Sequence, residues 1–177
     1  TVISMRLFAE EKKSGTIETL MTAPVTEAQV IMGKYAGALS FLLIVIVPSS
    51  LVILPLVIMS PGISFSDLDT GSLITGGVII VLVSCFWMSI GLLISLTTRN
   101  QIIAAISTLC VIILGMLGGV FIANPGGHEE LSRLLSTLYH IEEFSRGVFS
   151  TQPVVLYLSL MIMLIITSIR VLELRRL

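Results

Sequence analysis

Few side chains of this 177-residue sequence are of a type that could do chemistry, and three carboxylates near its start form the densest group. Glu10, Glu11 and Glu18 could in principle supply a general acid and a general base. They are interspersed with lysines, however, and their spacing is not that of a catalytic pair. We therefore interpret them as the solvated face of a short helix-forming segment.

Histidine and cysteine are the other candidates, and each type occurs only twice. His128 and His140 have no cysteine or third histidine nearby, so we expect solvated surface histidines and no metal site. Cys85 and Cys110 lie inside apolar runs, where cysteine behaves as a small buried hydrophobe. The sequence has no phosphate-binding P-loop motif, no HExxH and no GxSxG. We therefore expect neither catalytic machinery nor a cofactor in this chain.

The composition indicates an integral membrane protein. Hydrophobic residues make up 55% of the chain and charged residues only 12%, against about 25% charged residues in a soluble domain. A spanning helix needs about 20 apolar residues, and four stretches qualify: 36–59, 73–97, 101–123 and 147–169. Their apolar runs do not alternate with polar residues as membrane strands do. The sequence predicts an all-α polytopic bundle embedded in the lipid bilayer, as one domain over residues 1–177.

The distribution of lysine and arginine predicts the orientation. Segments 1–35, 98–100 and 170–177 would lie on one side of the membrane and hold eight of the ten basic residues. Because basic residues favour the cytoplasmic side, we expect the opening stretch and the C-terminus in the cytoplasm. The net charge of −1 gives no basic excess for nucleic acid.

The four spans contain no Asp, Glu, Lys, Arg or His. Ion-coupled transporters place such groups at membrane depth, so any energy for transport would have to enter from outside the chain. Serines such as Ser49, Ser89 and Ser95 are expected mostly to bond to carbonyls of their own helix. Two close-approach GxxxG spacings, Gly33 with Gly37 and Gly115 with Gly119, predict helix packing.

The polar stretch 10–34 contains EEKKSGTIETLMTAPVTEAQV and predicts two successive helices. Ile17, Leu20 and Met21 fall on one face of the first, and Pro24 ends it. Thr26 and Gln29 fit a capping box, supported by a Val25–Val30 staple, that starts the second helix. That helix would continue into the first span. The residue pattern alone leaves two roles open, docking to a partner and anchoring in the lipid headgroups.

The outer loop 124–146 also has a helical pattern. Its leucines recur with the spacing of an amphipathic helix at Leu131, Leu134, Leu135 and Leu138. We expect this helix to lie along the outer membrane surface or to enter the rim of the bundle.

The stretch RLFAEEKKSGTIETLMTAPVTEAQVIMGKY resembles the cytoplasmic loop of bacterial type-2 ABC transporter permeases, and is most similar to gliding-motility-associated export permeases. The matching positions are Glu10, Glu11, Gly15, Thr16, Glu18, Leu20, Ala23, Pro24, Val25, Gly33 and Lys34. The resemblance continues through EEFSRGVFS before the last span to the basic tail LELRRL, and so covers the whole chain.

The resemblance implies a six-helix permease in the bacterial inner membrane, of which this chain holds four spans. Two further spans would precede Arg6, so the chain would be truncated at its N-terminus. The loop would act as a coupling helix in a groove of a separate ATPase subunit that holds ATP and Mg, and a second permease copy or homologue would complete the transporter. The docking residues implied or predicted for the loop are Glu11, Gly15, Thr16, Ile17, Glu18, Leu20, Met21 and Pro24.

Two other functions are kept as alternatives. A membrane scaffold or assembly factor would use the same loop to tether a cytoplasmic complex without transport. An intramembrane enzyme is disfavoured, because the spans lack the nucleophile and base that it would need. The sequence does not identify a substrate.

Overall fold

The computed structural model describes residues 8, 9, 11, 26–52, 55, 69–98, 100–122 and 136–176. This part of the chain forms five helices and no strand: α1 (Glu27–Leu51), α2 (Thr70–Thr97), α3 (Gln101–Ile122), α4 (Thr137–Ser145) and α5 (Thr151–Arg176). The all-α fold class is therefore confirmed. All except α4 are long and apolar enough to cross a membrane.

The start of α1 is set by the predicted capping box. The backbone N–H of Gln29 donates to Thr26 Oγ1 at 3.3 Å, and the backbone N–H of Thr26 donates to Gln29 Oε1 at 3.0 Å. These reciprocal bonds satisfy donors that a helix start would otherwise leave unpaired. The capping box is confirmed, whereas Val25 of the proposed staple lies outside the described residues. The helix then continues without a break past residue 36 and through Pro48 to Leu51.

The long helix α2 is central, because it contacts each of the other four helices. Its sequence carries no charged side chain. A three-residue connection, 98–100, follows it, with Asn100 Oδ1 accepting a hydrogen bond from the backbone N–H of Ile102 at the start of α3. Helices α2 and α5 run parallel and α1 runs antiparallel to them, because the start of α1 packs with the ends of α2 and α5. Helix α3 returns antiparallel to α2, with Gly115 against Trp87.

Two clusters of buried side chains connect the helices. The basic-end cluster lies where α1 starts and where α2 and α5 end; it consists of Phe8, Ile31, Tyr35, Ala38, Met88, Leu92, Leu96 and Leu172. The α4-end cluster lies towards the other end of α2 and consists of Ile79, Val83, Phe144 and Tyr157. Lipid is as apolar as these side chains, so at membrane depth they stabilise the bundle by close packing.

The short helix α4 is an amphipathic element, but its buried face differs from the leucine pattern. Thr137, His140 and Phe144 are buried, whereas Leu138 is 43% exposed. The other three leucines of the pattern and His128 lie outside the described residues. The expectation that His140 is a solvated surface histidine is wrong, since the residue is only 4% exposed. It can be buried because the Tyr157 hydroxyl on α5 lies 3.0 Å from the His140 Nδ1 and serves as its hydrogen-bonding partner.

Candidate functional site

The basic end of the bundle holds the short described piece of chain that precedes the polar stretch. Phe8 and Ala9 are fully buried there. Their backbone N–H groups donate to the same acceptor, Ser95 Oγ on α2, at 3.1 and 3.0 Å. Two otherwise unpaired backbone donors are satisfied in this way. We call the contact made by Phe8, Ala9, Glu11, Lys34 and Ser95 the basic-end junction.

A charged contact ties the same piece of chain to α1. Lys34 Nζ forms an ion pair with Glu11 Oε1 at 2.5 Å, and it also lies 4.4 Å from the centre of the Phe8 ring. The two ionised side chains are only 19% and 32% exposed, so solvent screens this pair less than a pair on the open surface. The ammonium therefore bonds to a carboxylate and to an aromatic face at once.

The junction holds both ends of the polar stretch at one end of the bundle. Residue 11 lies against Lys34, and residue 26 caps the same helix. Thr26 and Lys34 are separated along α1 by about two helical turns. The two described residues that flank segment 12–25 therefore both contact α1 at this end of the bundle.

Deeper in the bundle, a group of hydroxyls joins α1 to α2. The Tyr35 hydroxyl donates to the Cys85 carbonyl at 2.9 Å, and Ser89 Oγ lies 3.1 Å from the Tyr35 oxygen. Tyr35 also contacts the Met161 sulfur on α5 at 3.1 Å. These contacts hold three helices together at a depth where unsatisfied polar groups are costly.

An apolar groove of about 600 Å³ runs beside this group, between α1, α2 and α5. Aliphatic side chains line most of it, and the lining includes no charged residue. The phenols of Tyr35 and Tyr157 border the groove but bond within the protein. The groove therefore presents an almost entirely apolar surface.

The opposite end of α2 receives α4. Thr75 Oγ1 donates to the Phe144 carbonyl at 2.7 Å, and Gly147, with a positive φ of 79°, packs against Ser72. Asp69 caps α2 by accepting hydrogen bonds from the Gly71 N–H and the Ser72 hydroxyl. The Ser72 hydrogen bond is the main reason that the pKa of Asp69 is lowered. At His140, desolvation by burial lowers the pKa, and the nearby Glu143 carboxylate opposes that shift.

Most of the predicted docking residues lie outside the residues that the structure describes. Glu11 lies in the basic-end junction. The others, Gly15, Thr16, Ile17, Glu18, Leu20, Met21 and Pro24, lie outside the described residues. Their assignment to docking stays a prediction.

The four glycines predicted to pack helices have different surroundings. Gly115 faces the ring of Trp87, and a methyl group added there would overlap that ring. Gly33 and Gly37 have no described neighbour within 4 Å that an added Cβ would meet. Gly119 lies in α3, and its surroundings are not described. The role of these glycines in helix packing stays a prediction.

Sequence reasoning missed two members of the junction. The local sequence does not distinguish Phe8, and it predicts that Ser95 bonds within its own helix. Ser49 and Ser89 do bond to carbonyls four residues earlier, but Ser95 accepts from a distant segment. No local pattern distinguishes these serines. Within the described residues, no three His, Cys, Asp or Glu side chains are grouped as metal ligands would be, and Cys85 and Cys110 are free thiols.

The comparison with protein families gives a match over most of the chain. The family model described as ABC-2 family transporter protein matches residues 1–167 of this chain. No curated protein matches the chain, and no solved structure matches it. The family match covers nearly the whole sequence, including all of α1 to α4 and most of α5.

Proposed function

Since this chain belongs to the ABC-2 family of transporter proteins, we propose that it exports a substrate across the bacterial inner membrane, driven by a separate ATPase subunit. The chain is a multi-pass membrane permease, and its four spanning helices provide the membrane part of the transporter. ATP and Mg would be bound by the partner. A second permease copy or a homologue would complete the assembly, and a role in gliding motility is the finer assignment that the sequence resemblance suggests.

The observation that carries this proposal is the basic-end junction. It holds residues 8 and 11 against α2 and α1, and Thr26 caps α1, so the described residues that flank segment 12–25 are both fixed at one end of the bundle. A loop held in this way can transmit a displacement, whereas a loop with free ends would absorb it. We assign the docking contact to Ile17, Glu18, Leu20 and Met21, on the cytoplasmic side.

The proposed mechanism uses the stiffness of α1. A helix is a rigid element over this length, and α1 begins at the capping box immediately after the loop. When the ATPase subunits close on ATP, the loop would move with them. Because of the Lys34 and Ser95 contacts, α1 and α2 would move together with the loop. This movement would change the arrangement of the spanning helices.

Site-directed crosslinking tests the docking role. The native thiols Cys85 and Cys110 are first replaced by serine, and Leu20→Cys is introduced in the full chain. The permease is then purified in nanodiscs with the P-loop ATPase expected from a neighbouring reading frame, and treated with a short bifunctional thiol reagent. We expect an adduct with the ATPase whose yield changes when ATP is added.

Tyr139→Cys is the matched control, because Tyr139 is a partly exposed residue on α4. It should give no ATPase adduct. Labelling of Leu20→Cys by lipid-soluble probes alone would contradict docking and favour interfacial anchoring. An adduct without ATP-dependent transport of any cargo in cells would support the scaffold alternative instead.

A further inference from the structure

Helix α4 is attached to the bundle by a buried histidine. His140 is 4% exposed, and a hydrogen bond of 3.0 Å joins its Nδ1 to the Tyr157 hydroxyl on α5. The two rings stand at 89° with their centres 5.6 Å apart. Phe144, one turn further along α4, is fully buried, and its backbone carbonyl accepts a hydrogen bond from the Thr75 hydroxyl of α2. One face of α4 is thus seated on two spanning helices through His140 and Phe144.

Among the residues that the structure describes, little around His140 can stabilise an imidazolium ion. Helices α2 and α3, which both pack against α4, contain no charged residue, and their only titratable side chains are Cys85 and Cys110. On α5, Tyr157 faces the histidine, and Arg170 lies near the far end of the helix. Asp69, before α2, is engaged by Ser72 and Gly71.

The other described charges near His140 belong to α4 itself. The carboxylate of Glu143 is close enough to favour the charged form of His140. The Tyr139 ring packs edge-on against the His140 ring. Glu142 pairs with Arg146, and both side chains are largely exposed. Protonation would still allow a hydrogen bond, because the Tyr157 hydroxyl can accept as well as donate. Protonation would add a positive charge in a site with little access to water. Among the described carboxylates, Glu143 is the main one that could stabilise that charge.

We propose that His140 makes the seating of α4 sensitive to pH, so that protonation from the side of the membrane on which α4 lies releases α4 from α2 and α5. Release would uncover Phe144 and the outer ends of both spanning helices. This inference concerns α4 alone and does not depend on an ATPase partner.

The direction of the effect follows from linkage. A released, solvated His140 has a pKa of about 6.5, and burial lowers the pKa of the seated ring. The released state therefore binds more protons between these two values. Seating is complete above about pH 6.5 and weakens as pH falls towards the lowered pKa. At a pH below both pKa values, each unit of difference between them increases the ratio of released to seated α4 about tenfold.

Hydrogen–deuterium exchange on the full chain in nanodiscs tests the proposal. Exchange of peptides covering 137–145 is measured at pH 7.5 and 5.5 and corrected for the intrinsic pH dependence of amide exchange. We expect protection in α4 to fall at the lower pH in the wild-type protein. His140→Asn keeps a small neutral hydrogen-bonding group and should remove this pH dependence.

His128→Asn is the matched control, since these are the chain's two histidines, and it should retain the wild-type response. An unchanged response in His140→Asn, or equal protection at both pH values in the wild type, would overturn the proposal. Should His140→Asn fail to fold, the ring of His140 can be titrated by NMR in the His128→Asn protein. A midpoint at or above 6.5 would then be the contradicting result.

Discussion

Ser95 Oγ accepts hydrogen bonds from the backbone N–H groups of both Phe8 and Ala9, and so joins the beginning of the chain to the end of α2. Residues 8 and 95 are 87 positions apart in sequence, and all three residues are fully buried. One hydroxyl oxygen thus replaces the hydrogen-bonding partners that two backbone donors would have in water.

Replacing Ser95 by alanine should destabilise the protein noticeably. The substitution leaves two buried N–H groups without an acceptor, at a cost of about 1–3 kcal/mol for each unsatisfied group. We expect a lower midpoint in thermal unfolding of the purified protein. Ser168→Ala is the control: Ser168 is equally buried, but within the described part of the chain its hydroxyl bonds to the Leu164 carbonyl of its own helix. Equal losses for both variants would contradict the role assigned to Ser95.

Gly115 should tolerate no side chain, because the Trp87 ring occupies the space where a Cβ would project. We expect Gly115→Ala to cost about 1–3 kcal/mol, the usual range for overpacking. Gly118→Ala on the same helix meets nothing described within 4 Å, so the gain in helix propensity should make it neutral or stabilising. Comparison of the two unfolding midpoints checks this. The prediction fails if Gly115→Ala is as stable as Gly118→Ala.

The Glu11–Lys34 pair should contribute more than an ordinary surface pair. A double-mutant cycle with Glu11→Gln and Lys34→Met should give a coupling free energy of about 1 kcal/mol, at the upper end for partly exposed pairs. The cycle for Glu142 and Arg146 serves as the comparison, because those side chains are 63% and 72% exposed. That cycle should give a few tenths of a kcal/mol at most. Equal couplings would mean that burial does not strengthen the junction.

Asp69 should make the start of α2 weaker in acid. Its pKa is lowered chiefly by the Ser72 hydrogen bond, so the folded protein binds the proton less readily than the unfolded chain. The stabilisation is complete above the unfolded pKa of about 3.9 and is lost as pH falls through the lowered value. Unfolding midpoints of wild type and Asp69→Asn, which keeps a capping oxygen, should converge as the carboxylate becomes protonated. A constant difference down to the lowest pH would refute the assignment.

Part of this architecture could be predicted from local patterns. The capping box at Thr26 needs only residues three positions apart, and the four apolar stretches need only their length and the absence of charge. The position of His140 could not be predicted in this way. Its burial depends on Tyr157, 17 residues further along the chain and on another helix. A histidine in a polar loop has the same local sequence whether a phenol faces it or not.

The sequence by itself determined that the chain crosses a membrane as helices. Unsatisfied backbone groups are too costly in lipid, and a helix satisfies those of a long uninterrupted apolar segment within the segment itself. It also determined the polar stretch and its resemblance to a coupling loop. Only the tertiary structure decided that the Ser95 hydroxyl holds residues 8 and 9, that Gly115 faces an aromatic ring and that His140 is buried. Those choices depend on how helices distant in sequence rotate and pack against one another, and the local sequence of each helix is compatible with several such arrangements.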